Sequence, residues 1–179
     1  MPRLSRQEWI AQEDGYALLH QANFRAAADA VAEAFAVLPE VRTVALFGSV
    51  ARPLRTDVTR GSWELLHHPK DVDLAVWVDR LDNLGALNRA RNVALRNLFA
   101  EREIGVAHHQ VDVFLIEAGT NAYLGRLCTF ADCPKGKLEC LVPGCGAARL
   151  LRQHAAFEFH PDALNEDRIV RLFDRAVAP

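Results

Sequence analysis

The chain has 179 residues, half of them hydrophobic, with 21 basic and 23 acidic residues and a formal net charge of -2. That length and apolar content suit one domain with a real core, and the charge balance disfavours a nonspecific nucleic-acid binder, which needs a basic surface. No apolar stretch reaches the length of a membrane span, and Met1–Ile10 holds two arginines without an apolar signal core, so a cytoplasmic protein is expected.

Residues 1–20 show no clear period. From Ala22 to Leu38, Phe24, Ala28, Val31, Phe35 and Leu38 form one stripe, and Pro39 follows as a stop, so a helix is expected there. Val41 to Phe47 reads as a buried strand that ends at Gly48-Ser49. A short helix weakened by Pro53 is expected after it, and the stretch to Lys70 has no clear period. Asp71 to Val78 alternates as a strand should. Asp71, Asp73, Ala75 and Trp77 share one face, and Val72, Leu74, Val76 and Val78 share the other. Leu84 to Arg102 is a strong helical pattern, with Gly105 beyond it as a stop. Gln110 to Ile116 is the third strand, with Val111, Val113 and Leu115 toward the core and Asp112 and Phe114 facing away.

This order predicts an α+β fold, a mixed sheet flanked by helices, with a core over residues 22–118 whose strands end near Glu117. Residues 119–179 are read as a Cys-rich segment and C-terminal helices that complete one compact unit. Arg149 to Phe159 is one candidate helix; a last helix begins at Pro161, with Leu164, Ile169, Leu172, Phe173 and Ala176 on its apolar side.

Asp71 and Asp73 lie at i and i+2 on one strand face, and Asp112 interrupts an apolar strand where an unpaired acid is costly. Three carboxylates on one surface repel unless a cation sits among them, which asks for a divalent metal. Two Mg2+ ions about 3.5–4 Å apart are the arrangement that clamps attacking and leaving oxygens in phosphoryl chemistry. Gly48 lets backbone approach a phosphate, Ser49 adds a hydroxyl donor, and Arg52 is one turn further on. The bland alternatives are an ordinary Gly-Ser turn and a solvated acidic face.

The four cysteines, Cys128, Cys133, Cys140 and Cys145, are spaced C-x4-C-x6-C-x4-C among glycines and prolines. Clustered thiols in a cytoplasmic chain suggest a structural Zn2+. Four buried thiols, or a set in which His154 or His160 replaces Cys128, are the alternatives. Lys135, Lys137, Arg149 and Arg152 near them are candidates to meet an anionic substrate, with a solvated charged loop as the favoured reading.

Leu46-Phe47-Gly48-Ser49-Val50-Ala51-Arg52, Asp71-Val72-Asp73-Leu74 and Val111-Asp112-Val113 together resemble the DNA polymerase β-like nucleotidyltransferase superfamily, in its minimal form. The resemblance covers roughly Phe24 to Glu117. It implies that Gly48, Ser49 and Arg52 bind the triphosphate. It further implies that Asp71 and Asp73 ligate both metals, and that Asp112 serves one metal and the acceptor. The activity it implies is transfer of a nucleoside monophosphate, with ATP as default donor, to a hydroxyl on a protein or small molecule. The rival expectation is a catalytically idle member of the fold that serves as a binding or regulatory partner. The stretch from Val50 to Lys70 is longer than the usual gap between turn and acid pair. Its Trp63, His67, His68 and Lys70 therefore lie beside the expected site.

Overall fold

The computed structural model describes residues 4–54, 66–128, 150–153 and 160–175. Helix α1, Arg6–Ala36, starts much earlier than the Ala22 stripe suggests. Its start is a capping box: the Ser5 hydroxyl accepts from Glu8 N at 3.3 Å, and Ser5 N donates to the Glu8 carboxylate at 2.8 Å. Strand β1 is Val41–Phe47, followed by a one-turn helix α2 at Gly48–Ala51 and strand β2 at Val72–Val78. Helix α3 is Leu84–Arg102; it ends on Glu103 in the left-handed region, two residues before Gly105. Strand β3, Val111–Glu117, runs parallel to β2, with α3 as the crossover between them.

The sheet does not stop at Glu117. Strands β4 (Tyr123–Leu127), β5 (Leu151–Arg152) and β6 (Val170–Asp174) join it, giving the order β5-β4-β3-β2-β1-β6. The architecture is α+β with a mixed six-stranded sheet, in which only the β2–β3 pair is parallel. Helices α1 and α3 pack on one face. Phe24, Val31 and Phe35 from α1 and Leu87 and Leu98 from α3 meet Val72, Leu74 and Val76 of β2 and Val111, Val113 and Leu115 of β3. The alternation in β2 and β3 thus sorts their apolar residues onto the helical layer, as the sequence pattern requires. The opposite face carries a smaller cluster, Phe47, Ala75, Phe114 and Ile116, with Trp77, Leu164 and Ile169 packed on it.

Two expectations for the C-terminal part are overturned. Leu151–Arg152 within the candidate helix over 149–159 is a short strand against β4, and residues 154–159 lie outside the described residues. No helix runs on from Pro161. A 3-10 turn, Pro161–Leu164, leads to β6, which pairs antiparallel with β1. The physical reason is the edge of β1, whose backbone donors and acceptors need a partner. The spacing of Leu164, Ile169 and Leu172 fits a helix, but the short run Ile169-Val170 onward fits a strand equally well, and the open edge decides.

Arg175 fastens this last strand. Its Nε donates to Val41 O at 3.0 Å, and its Nη2 donates to Ala36 O at 2.7 Å and Leu38 O at 3.1 Å. It thereby satisfies carbonyls at the end of α1, which the helix itself leaves unpaired. Arg175→Ala is expected to lower stability by about 2 kcal/mol, since charged donors to several carbonyls are lost at once. Urea unfolding measures this; a midpoint equal to that of the parent protein would refute the role. Among the described residues, no helix is long and apolar enough to cross a membrane.

Candidate active site

The site is built where β1 ends. Phe47 is extended, and Gly48 then turns the chain with φ +73, a left-handed conformation that favours glycine. Val50 and Ala51 are buried, while Ser49 is exposed and points its part of the turn outward. Helix α1 holds the far end of the turn. Arg25 Nη2 donates to Ala51 O at 2.9 Å, and Gln21 Nε2 donates to Arg52 O at 2.6 Å. Gln21 Oε1 in turn accepts from Leu54 N at 3.3 Å. Arg52 is therefore the residue that ends α2, in an extended conformation, rather than part of a continuing helix.

The acids approach this turn through strand register. Phe47 is opposite Asp73 across β1 and β2, and Asp73 is opposite Asp112 across β2 and β3. Asp71 precedes β2 and is exposed. A side chain at Gly48 would collide with the Asp73 carboxylate, so the turn backbone and that carboxylate are in direct apposition. Phe47 stacks edge-on against Phe114 with ring centroids 5.1 Å apart, which walls the acids on their apolar side.

Electrostatics reflect the crowding. Burial, then the charges of Asp112 and Asp71, push the Asp73 carboxyl up to about 7, and Arg126 only partly opposes them. Asp112 is also raised, with burial as the main cause, although its Oδ2 is 2.6 Å from Arg126 Nη1. Both partners are mostly shielded, with side-chain exposures of 17% for Asp112 and 25% for Arg126. Burial outweighs the ion pair here, and the charge of Asp71 adds to the upward shift.

Arg126 on β4 and Arg152 on β5 belong to this surface; the sequence pattern does not single out Arg126, and it offers Arg152 only as a candidate contact for an anionic substrate. They are directly opposite each other across the two strands, and both lower the Asp112 pKa through their charge. Tyr123 on β4 joins them; burial raises its hydroxyl pKa. The available signal is the alternation of Tyr123, Gly125 and Leu127 with Leu124 and Arg126, which Gly125 blurs.

Asp71, Asp73 and Asp112 offer only carboxylate oxygens, the donors that hard divalent cations prefer. Asp73 is raised first by burial and then by the neighbouring carboxylates, and a cation would relieve the second of these. Among the described residues, however, no three His, Cys, Asp or Glu side chains form a metal-holding group as they stand. Asp112 is engaged by Arg126 instead. Of the proposed zinc ligands, Cys128 is buried at the end of β4. Cys133, Cys140, Cys145 and His154 lie outside the described residues, and His160 is exposed. In the long stretch before β2, Trp63 also lies outside them. His67 and Lys70 are exposed, and His68 faces His20 with ring centroids 6.2 Å apart.

No protein-family model matches the chain, and neither a curated protein nor a solved structure matches it.

Proposed function

We propose that the protein is a metal-dependent nucleotidyltransferase. The observation that carries this reading is the apposition of the Gly48 turn and Asp73, with Asp112 in the adjacent register position. A phosphate-accepting turn against paired carboxylates is the minimum that nucleotidyl transfer needs, since this chemistry rests on alignment and charge neutralisation. The likeness of the three motifs to the polymerase β-like superfamily supports it as well.

On this reading the Gly48 and Ser49 backbone and the Ser49 hydroxyl hold the β- and γ-phosphates, and Arg52 adds a cation beside them. Asp71 and Asp73 hold Mg2+, and Asp112 serves the acceptor side. Bound Mg2+ would supply neutralisation of the phosphate oxygens and lower the cost of deprotonating the acceptor. The acceptor oxygen bonds to the α-phosphorus while the bond from that phosphorus to the bridging oxygen breaks. The hydroxyl proton passes to Asp112, and pyrophosphate leaves. ATP is the donor, and a protein side chain or a small molecule is the acceptor. For the cysteines the proposal is a structural Zn2+ with four thiolate ligands.

The Asp112–Arg126 pair favours one rival reading, a catalytically idle partner that keeps the fold without the cation site. Incubation with each labelled nucleoside triphosphate, Mg2+ and a cell lysate separates the two. Label is expected to move to a specific acceptor, and the Asp71→Ala/Asp73→Ala double variant is expected to lose the transfer. Undiminished transfer by that variant would sink the enzyme reading, and an idle partner would show no Mg2+-dependent stabilisation by a non-hydrolysable ATP analogue.

A further inference from the structure

Arg126 and Arg152 are register partners on antiparallel strands, so their side chains leave the sheet on the same face. Like charges directly opposite in a sheet are destabilising unless an anion lies between them. Gly125 allows the two strands to approach closely here: a Cβ at that position would lie 2.9 Å from Arg152 O and 2.8 Å from Leu151 Cδ1. Asp112 answers one of the two cations, through Arg126 Nη1 at 2.6 Å. Arg126 also lies over the Phe114 ring, 5.5 Å from its centroid. The guanidinium is thus held at the acid cluster from two sides.

Arg126 occupies Oδ2 of Asp112, so a divalent cation at this carboxylate would either displace the guanidinium or sit close beside it on Oδ1. Two positive charges a few ångströms apart in a partly buried site repel by more than they would in water. A triphosphate brings a compensating set of oxygens, and paired guanidiniums bind such oxygens bidentately.

We propose that Arg126 stands in for the metal at Asp112 in the metal-free protein, and that metal binding releases it to join Arg152 as a clamp for the nucleotide's phosphates. The proposal rests on the nucleotidyltransferase reading and assigns that site a pair of phosphate-binding residues and a built-in order of binding. In the metal-free state Asp112 draws its neutralising charge from within the chain, through Arg126. Arg126 leaves Asp112 when a divalent cation binds, and the phosphate site becomes complete only then. Metal and polyphosphate binding are therefore cooperative.

Titration calorimetry on the full chain tests this with two probes, Mn2+ alone and inorganic tripolyphosphate in the presence of Mg2+. Arg126→Gln is expected to bind Mn2+ about tenfold more tightly than the parent, because the competing group is gone. The same variant is expected to bind tripolyphosphate about tenfold more weakly, through loss of a charge-assisted contact. Arg152→Gln is expected to raise Mn2+ affinity far less than Arg126→Gln does, since its charge acts on Asp112 without an ion pair, and to weaken tripolyphosphate binding similarly. Should Arg126→Gln fail to fold, as circular dichroism would reveal, unaltered tripolyphosphate binding by Arg152→Gln still overturns the clamp. If the parent protein binds both probes and neither substitution changes either affinity, the place-holder fails while the nucleotidyltransferase reading stands. If the parent binds neither probe, both fall.

Discussion

If the chain transfers nucleotides as proposed, Gly48→Ala is expected to reduce that transfer by about a hundredfold while the chain still folds. Two effects act together at this position. The left-handed φ of +73 strains any residue with a Cβ, by about 1–2 kcal/mol. The added methyl would also occupy the space of the Asp73 carboxylate. Asp73 is short, and the added atom would also lie 3.3 Å from its Cγ, so the crowding is not confined to the far end of a flexible side chain. A displacement of about 1 Å at a reacting centre is enough for a hundredfold loss. Gly15 provides the internal control. It lies inside α1, and a methyl group added there would meet nothing within 4 Å, so Gly15→Ala is expected to stabilise the helix by about 0.5–1 kcal/mol and leave transfer intact. Equal transfer rates for Gly48→Ala and the parent protein would remove the turn from the site.

Asp73→Asn carries the second large effect, and its sign depends on pH. The folded carboxyl titrates at about 7 against an ordinary value of 3.8. Below about pH 4 the proton is bound in both folded and unfolded chains, and the group contributes nothing. Between about 4 and 7 the unfolded chain releases the proton and the folded chain keeps it, so stability falls as pH rises. Above 7 the full penalty is present. In chelator-treated buffer Asp73→Asn is expected to melt higher than the parent at pH 8 and to converge with it toward pH 4. The gain at pH 8 is about 2 kcal/mol, less than the full shift would give because water reaches part of the site. If Mg2+ binds at the acids as proposed, adding it at pH 8 is expected to reverse the order, because the parent would gain a bound cation and the variant would lack one ligand. Parallel melting curves for the two proteins across pH 4–8 would show that Asp73 is not the crowded acid described above.

The residues that were easiest to read are those whose partners lie on the same short pattern. Val72, Leu74, Val76 and Val78 alternate with Asp73, Ala75 and Trp77, and the structure places the two sets on opposite faces. Helix α3 is legible because Leu87, Leu95 and Leu98 share one buried side. The first half of α1 is not, since Trp9, Tyr16, Leu18 and Leu19 are exposed and break the stripe. Only Ser5 and Glu8, three positions apart, announce its start. Strand β6 depends on the unpaired edge of β1, far away in sequence, and no local window contains that information. The same holds for the site. Gly48, Asp73 and Asp112 stand out as motifs, whereas Arg126 acquires meaning only when β4 brings it to Asp112, and Arg152, a candidate anion contact by sequence, is tied to this site only by its pairing with Arg126.

The pairing of β6 with β1 also bears on how the protein is made. Thr43 meets Asp174, and Arg175 reaches back to Ala36, Leu38 and Val41, across more than 130 residues. Such distant contacts form late and slowly. During synthesis, β1 waits with one side bare until residue 175 has emerged, and the strand that leads into the Gly48 turn is the one left waiting. A nascent chain stalled before that point exposes an adhesive strand edge. Chaperone dependence and aggregation should therefore be set by the arrival of five residues, Val170–Asp174, rather than by the stability of the finished sheet.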